Sequence, residues 1–291
     1  MPQPMRICLL IPHYEHAGAI GALLDRLAPH VLENSLACFV VDDGSAEAAR
    51  KVLRELEKRL PWMTVVWREH NGGQGAAKRT GYRHALAAGF THSLELDADG
   101  QHDTDDVPRF LALMKANPSA AVLGKPEFGP EAPKARIWGR QLSRGLVWAA
   151  CVSTTVRDPL CGYRGLPLAP AVSVIDSVHT GNRMSFDPEF AVRLYRAGLP
   201  IVTLPTRVSY PTDGVSHFDM VRDNLRLAGT YVRLLAELPF QLPAIFSARQ
   251  RASRLADDDA RSGTRDADAG GRVRATGSAA NAGDGDASTW R

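Results

Sequence analysis

Long apolar runs are missing from this chain. No stretch approaches the roughly 20 consecutive apolar residues of a bilayer-spanning helix, and the opening residues MPQPMRICLLIPHYE carry no cleavable signal pattern. The expectation is a cytoplasmic protein without a membrane span. An excess of one charge is missing too: 35 Lys and Arg stand against 32 Asp and Glu, a formal net charge of +3. That balance leaves no basic face of the kind nucleic acid demands. Cysteine is scarce. Cys8, Cys38, Cys151 and Cys161 are widely separated, lack the paired spacing of a zinc site, and two of them lie in apolar runs, which predicts buried, reduced thiols.

Large apolar side chains run out beyond Gln250, where Ala, Asp, Gly, Arg, Ser and Thr dominate and Leu255 and Val273 stand nearly alone. Such a segment offers little burial against the entropy of ordering, so 250–291 reads as a disordered tail. The expected division is one α/β domain over residues 1–218, an amphipathic helix and apolar segment over 219–249, and the tail.

Before the tail, strand-like runs alternate with helical patterns. Strands are expected at 6–11, 36–41, 64–67 and 93–96. Helical spacing joins Ile20, Leu23, Leu24, Leu27 and Val31, and further helices are expected at 48–60 and 76–88. This alternation predicts a Rossmann-like, mainly parallel sheet flanked by helices. Ligands of such sheets gather at the carboxyl ends of the strands. The polar signals fall there: Pro12, Tyr14 and Glu15 after the first strand, Asp42, Asp43, Gly44 and Ser45 after the second, Asn71 to Gly75 after the third, and Asp97 to His102 after the fourth.

In LELDADGQHD, Asp97 and Asp99 sit one residue apart at a strand exit, so both can turn toward one divalent cation. Hard oxygen ligands suit magnesium or manganese, and magnesium sites commonly use one or two carboxylates, with water and substrate phosphates completing the shell. An ordinary polar turn would use the same residue types. VVDDGS offers acceptors for a base or ribose, but Asp before Gly-Ser also caps a following helix. NGGQGAAK combines glycines that let a ligand approach the backbone with Lys78 and Arg79 one turn further on, and a plain turn fits equally well.

Taken in order, Pro-x-Tyr-Glu, Asp-Asp-Gly-Ser, Asn-Gly-Gly-x-Gly and Asp-Ala-Asp-Gly-Gln-His resemble a family 2 glycosyltransferase of GT-A fold. DPLCGYRG is similar to a segment of the branch containing dolichyl-phosphate mannosyl- and glucosyltransferases, and the likeness covers about residues 5–218. The resemblance implies an inverting hexosyltransferase with a UDP- or GDP-linked sugar donor and Mg2+ or Mn2+. It implies donor contacts from Pro12, Tyr14, Glu15, Asp42, Asp43, Gly44, Ser45, Asn71, Gly75, Lys78 and Asp97, and a metal held by Asp97, Asp99 and Gln101.

On the acceptor side, Arg136, Arg140 and Arg144 recur every four residues along an expected helix at 135–150. The resemblance places such arginines at an acceptor phosphate; a solvated basic stripe is the alternative. Arg164 is either a further acceptor contact or an ion-pair partner of Asp158. Asp187 before Pro188 has the form of a helix start, yet the family places an acidic residue near here, so Asp187, then Glu189, are the expected bases for a hydroxyl acceptor; a phosphate acceptor needs none. In SYPTDGVSHF, Pro211 and His217 stand where lipid-phosphate enzymes carry Arg and Lys, which makes the segment more similar to bacterial relatives of lipid and aryl-polyene pathways. His217 is an acceptor or diphosphate contact, or a surface residue. The amphipathic pattern at 221–238 and the PFQLPAIF that follows fit either packing on the sheet or peripheral contact with a membrane bearing a lipid acceptor.

Three rivals share single motifs. A haloacid-dehalogenase-type phosphatase with Asp97 as nucleophile would carry Asp-x-Asp after its first strand. A non-catalytic calcium or nucleotide module would need Gly where His102 stands. A dinucleotide dehydrogenase would need its glycines where PHYEHAG stands.

Overall fold

The first strand, β1 (Ile7–His13), is buried along its whole length. Its side chains divide by parity, Cys8 and Leu10 into one core cluster and Ile7, Leu9 and Ile11 into the other. A continuous apolar strand of this kind belongs in the centre of a sheet covered by helices on both faces. The computed structural model describes residues 4–129, 134–178, 180–208 and 222–275, with side chains described outside 134–136 and 262–275.

After β1 come α1 (Ala17–Asn34), β2 (Ala37–Asp42), α2 (Glu47–Arg59), β3 (Met63–Trp67), α3 (Gln74–Ala87), β4 (His92–Glu95) and α4 (Val107–Ala116). Then follow β5 (Ala121–Phe128), α5 (Lys134–Cys151), β6 (Arg164–Pro167), α6 (Leu168–Ser177), α7 (Phe186–Arg196), β7 (Ile201–Val208), α8 (Arg222–Ala236) and α9 (Leu238–Ala275). The seven strands form one sheet in the order β3-β2-β1-β4-β6-β5-β7. β1, β2, β3 and β4 run parallel, as do β5 and β7, and β6 alone runs against its neighbours. Register brings His13 beside Asp42 and Asp42 beside Trp67, so the exits of the first three strands share one rim.

The four cysteines are free and buried, and desolvation raises the thiols of Cys8, Cys151 and Cys161 to about 12, which keeps them unreactive. No described helix is long and apolar enough to cross a membrane.

One expectation meets the structure differently. The apolar stripe expected at 221–238 is split: Tyr231 enters the core with Leu235 and Leu238 packed against it, whereas Leu225 and Val232 are each 68% exposed. α9 passes through position 250 and continues to Ala275. Ala and Arg are good helix formers, its own Ile245 and Ala248 are buried, and Asp259 accepts hydrogen bonds from the Ser119 amide and hydroxyl, both at 3.1 Å. Residues 276–291 lie outside the described residues.

Candidate active site

At the rim formed by β1 and β2 the expected donor residues do meet, and they hold one another. Asp42 Oδ1 lies 3.2 Å from His13 Nδ1, and its Oδ2 accepts from the Ser45 amide and Arg50 Nε, each at 3.2 Å. Burial works to raise the Asp42 carboxyl, but hydrogen bonds from His13 and Ser45 outweigh it and keep the group below its ordinary range. Asp43 ties down the next loop, accepting from the amides of Gly72 at 3.0 Å and Gly73 at 2.6 Å and from Arg68 Nε at 2.7 Å. Gly44 has φ 75°, and a Cβ there would lie 2.5 Å from the Asn71 amide nitrogen, so only glycine fits where these loops touch. Glu15 accepts from the Ala46 amide at 2.5 Å, and its own amide donates to Ser45 Oγ at 3.1 Å. Pro12 is buried within β1 and Tyr14 is half-buried at its exit. Gly75 packs against Phe186, the first residue of α7, where a Cβ would fall 2.5 Å from the phenylalanine Cβ.

Beyond β4, in the turn that leads to Gly100, Ala98 is buried while Asp97 and Asp99 on either side of it are partly exposed. Gln74 Nε2 donates to Asp97 Oδ1 at 2.8 Å, and His102 Nε2 lies 3.3 Å from Oδ2. Burial opposes ionisation of Asp97, but the Lys78 ammonium and His102 overcome it and hold the carboxyl well below the usual range. Asp99 Oδ1 accepts from the Gln101 amide at 3.0 Å. Among the described residues no three His, Cys, Asp or Glu side chains converge on a point. Two carboxylates with a nearby amide do not cage an ion, but they fit a hard cation that shares its shell with diphosphate and water.

Gly162 lies directly over Asp97. A Cβ there would overlap the Asp97 carboxylate. We therefore expect Gly162→Ala to displace that carboxylate and to weaken Mn2+-dependent nucleotide binding about tenfold, an effect of about 1.4 kcal/mol, with little change in melting temperature. Calorimetric titration of Mn2+ and nucleoside diphosphate, beside a thermal melt, checks both halves.

Lys78 sits elsewhere than expected. Its side chain has no exposure, and Nζ lies 2.7 Å from Glu95 Oε1, 2.8 and 2.9 Å from the two oxygens of Asp187, and 4.0 Å from Asp97 Oδ1. Burial alone would lower this ammonium; the carboxylates of Asp187, Glu95 and Asp97 reverse that and raise it. Lys78, expected as a donor contact, thus faces the protein carboxylates of Glu95, Asp187 and Asp97. Tyr82 closes the cluster with its hydroxyl on Glu95.

The residues expected on the acceptor side also have protein partners. Arg164, 1% exposed, makes an ion pair with Asp187 at 3.2 Å rather than with Asp158, and donates to the carbonyls of Cys161 at 2.7 Å and Pro159 at 2.9 Å. Asp158 pairs instead with Arg140 at 2.7 Å. Arg140 also lies over Phe128 and Arg144 over Trp148, with the guanidinium carbons 5.3 and 4.9 Å from the ring centres. Asp187 therefore has both oxygens held by buried cations. Glu189, without exposure, accepts from Arg233 at 2.6 Å, the Gly181 amide at 3.0 Å and Arg193 at 3.4 Å. Neither stands as an unengaged base. The Arg136 side chain and His217, with Pro211, lie outside the described residues.

His13, Gln74, Glu95 and His102 were missed as members of these networks. For Glu95 a signal existed: a carboxylate inside the apolar run SLEL has to find a buried cation, and Lys78, on the buried face of α3 among Gly75, Ala77, Gly81 and Tyr82, was the available partner.

Nucleotide-type loops around a carboxylate pair at the fourth strand's exit, on a doubly covered sheet with one reversed strand, define a GT-A enzyme. Residues 8–160, more than half of the chain, match Glycosyl transferase family 2, and the chain belongs to that family. It is 25% identical over 209 residues to the undecaprenyl-phosphate mannosyltransferase of Micrococcus luteus, covering 69% of this chain and 82% of that protein. It is likewise 25% identical over 217 residues to a dolichyl-phosphate beta-glucosyltransferase of Trichomonas vaginalis, covering 70% of this chain and 66% of the other. Among solved structures, glucosyl-3-phosphoglycerate synthase from Mycobacterium tuberculosis, in complex with Mn2+, uridine diphosphate and phosphoglyceric acid, superposes with a TM-score of 0.59 at 18% identity over 79% of this chain and 78% of that one. The protein is a glycosyltransferase. The phosphatase, calcium-module and dehydrogenase readings are thereby set aside.

Proposed function

We propose that this enzyme transfers a hexosyl group, with inversion, from a nucleoside-diphosphate sugar to the phosphate of a polyprenyl-phosphate-type lipid at a membrane surface. The observation that carries the acceptor assignment is the state of Asp187 and Glu189. Each is bound by two cationic side chains, Asp187 by Lys78 and Arg164, Glu189 by Arg193 and Arg233. A hydroxyl acceptor needs a group to take its proton, whereas a phosphate arrives ionised and attacks the anomeric carbon directly. Relatives named for undecaprenyl- and dolichyl-phosphate substrates support the same reading.

On the donor side, Asp97, Asp99 and Gln101 would hold Mg2+ or Mn2+. When bound, the cation offsets charge growing on the departing diphosphate. Asp42 and Asp43 shape the nucleoside end through the loops they bind, Asp43 by holding the Gly72 and Gly73 amides. The Mn2+ and uridine diphosphate in the similar fold support a UDP-linked sugar over a GDP-linked one.

A membrane-facing side is supported by exposed apolar residues on three helices that touch in sequence, α5 with α8 and α8 with α9. Trp138 is 75% exposed, Leu142 68% and Phe240 84%, alongside Leu225 and Val232. Aromatic and aliphatic side chains beside arginines suit the interface of an anionic bilayer.

The test presents purified enzyme and Mn2+ with a panel of nucleotide sugars and vesicles containing either undecaprenyl phosphate or its uncharged alcohol. Product is expected from the phosphate lipid only, and it should be labile to mild acid, as a glycosyl phosphate is. An acid-stable glycoside of the alcohol would overturn the acceptor assignment. In sedimentation with anionic vesicles, Trp138→Ser with Phe240→Ser should reduce the bound fraction several-fold while leaving the melting temperature in place.

A further inference from the structure

Lys78 stands between the two halves of the site. It lies on α3, its carboxylate contacts come from β4 and the segment that follows it (Glu95 and Asp97) and from the first turn of α7 (Asp187), and its side chain has no exposure. On the transferase reading Asp97 is the donor-side carboxylate, and Asp187 lies in the first turn of α7, which that reading places on the acceptor side. Each is also held independently: Asp97 by Gln74 at 2.8 Å and His102 at 3.3 Å, Asp187 by Arg164 at 3.2 Å. Among these groups, one ammonium reaches both carboxylates.

Neutralising a stray charge is not what this arrangement is limited to. Glu95 alone would satisfy one buried lysine, yet Nζ is turned so that both Asp187 oxygens lie within 2.9 Å and Asp97 at 4.0 Å. The ammonium directs its donors at Asp187 and Glu95 and attracts Asp97 by charge at 4.0 Å, where an apolar residue of equal length would leave the two carboxylates to relax apart. Resting on the transferase reading above, we infer that Lys78 is a positioning residue that fixes the donor-side carboxylate relative to the acceptor-side one, so that the two bound substrates meet at attack distance.

The distinction from a purely structural role lies in what each substrate needs. On the transferase reading the donor is gripped by Asp99 and Gln101 as well as Asp97, and Asp97 keeps Gln74 and His102 as partners, so donor binding survives the loss of Lys78. Transfer requires both to be aligned to within about an ångström, and misplacement of that order can cost about a hundredfold. Hydrolysis of the donor by water requires no alignment of an acceptor.

The experiment compares wild type, Lys78→Met and the double variant Lys78→Met/Glu95→Gln. The single variant leaves Glu95 buried without its cation and is expected to melt at lower temperature. The double variant removes one charge of each sign, so Arg164 faces Asp97 and Asp187 with the same net charge as before. It should recover the melting temperature. In that double variant we expect kcat for transfer to fall at least tenfold, KM for the sugar nucleotide to stay within threefold, and the ratio of transfer to donor hydrolysis to fall at least tenfold. Wild-type kcat, or transfer and hydrolysis falling in parallel, would make Lys78 a counter-ion of Glu95 and overturn the inference. So would a double variant that melts as low as the single one. Failure of the wild type to transfer or hydrolyse any sugar nucleotide would instead remove the parent reading, and the inference with it; the two failures are told apart by the wild-type lane alone.

Discussion

Asp97→Asn is expected to lower transfer by on the order of a thousandfold, the scale on which a single preorganised group facing developing charge acts. The carboxylate lies at the exit of β4, with one oxygen held by Gln74 and the other beside His102, and it is ionised because Lys78 and His102 outweigh its burial. The amide has the same shape and none of the charge. A divalent cation loses one of two protein carboxylates and with it most of its hold on the diphosphate. The fold should survive, since Lys78 keeps Glu95 at 2.7 Å and Asp187 at 2.8 Å. The measurement is initial rate at saturating donor, together with Mn2+ affinity in the presence of nucleoside diphosphate. Unchanged Mn2+ affinity in this variant would take Asp97 out of the metal site, and Asp99→Ala should then be examined for the whole effect.

Arg164→Leu is expected to act on stability. The guanidinium is buried, and four acceptors depend on it: the carbonyls of Cys161, Pro159 and Asp187 and the Asp187 carboxylate. Removing one partner of a buried pair leaves the other charge uncompensated, at about 3–5 kcal/mol. In a domain of this size each kcal/mol moves the melting temperature by about 2–4 °C, so a fall of roughly 10 °C is expected. Arg164→Lys should recover only part of it, because an ammonium cannot reproduce the planar fork that reaches three directions at once. A variant that melts like the wild type but shows a raised KM for the lipid acceptor would return Arg164 to the acceptor site.

The two variants separate roles that look alike in a list of charged residues. Asp97 is partly exposed, with 25% of its side chain open. Arg164 is sealed beneath Asp187. Exposure decides which of the two meets a ligand, and exposure is a property of the packed chain.

Much of the architecture was written locally. Apolar runs of four to six residues followed by helical spacing gave the first four strands and three helices close to their observed bounds, because parity along a strand and the 3.6-residue repeat of a helix act over a few neighbours. The order of the polar loops is equally local, and it sufficed to place Asp42, Asp43, Asn71 and Asp97 on a common rim, since parallel strands deliver their exits to one edge. The later strands were harder to read. β6 has only four residues and runs between two neighbours of opposite direction, and nothing within Arg164–Pro167 states that orientation.

What no local pattern contained was the pairing of buried charges. Lys78 and Asp187 are 109 residues apart, and Arg79, the next residue along α3, turns to the Thr180–Gly181 carbonyls instead. Sequence spacing named Lys78, Asp97, Arg164 and Asp187 without saying which would meet, and it passed over Glu95. Low-dielectric burial makes that choice costly to leave open, and it is settled only when α7 packs against α3 and closes the cluster from water. The class of enzyme was therefore legible in the chain, whereas the division of its charged residues between ligand and scaffold came from the packing of distant helices.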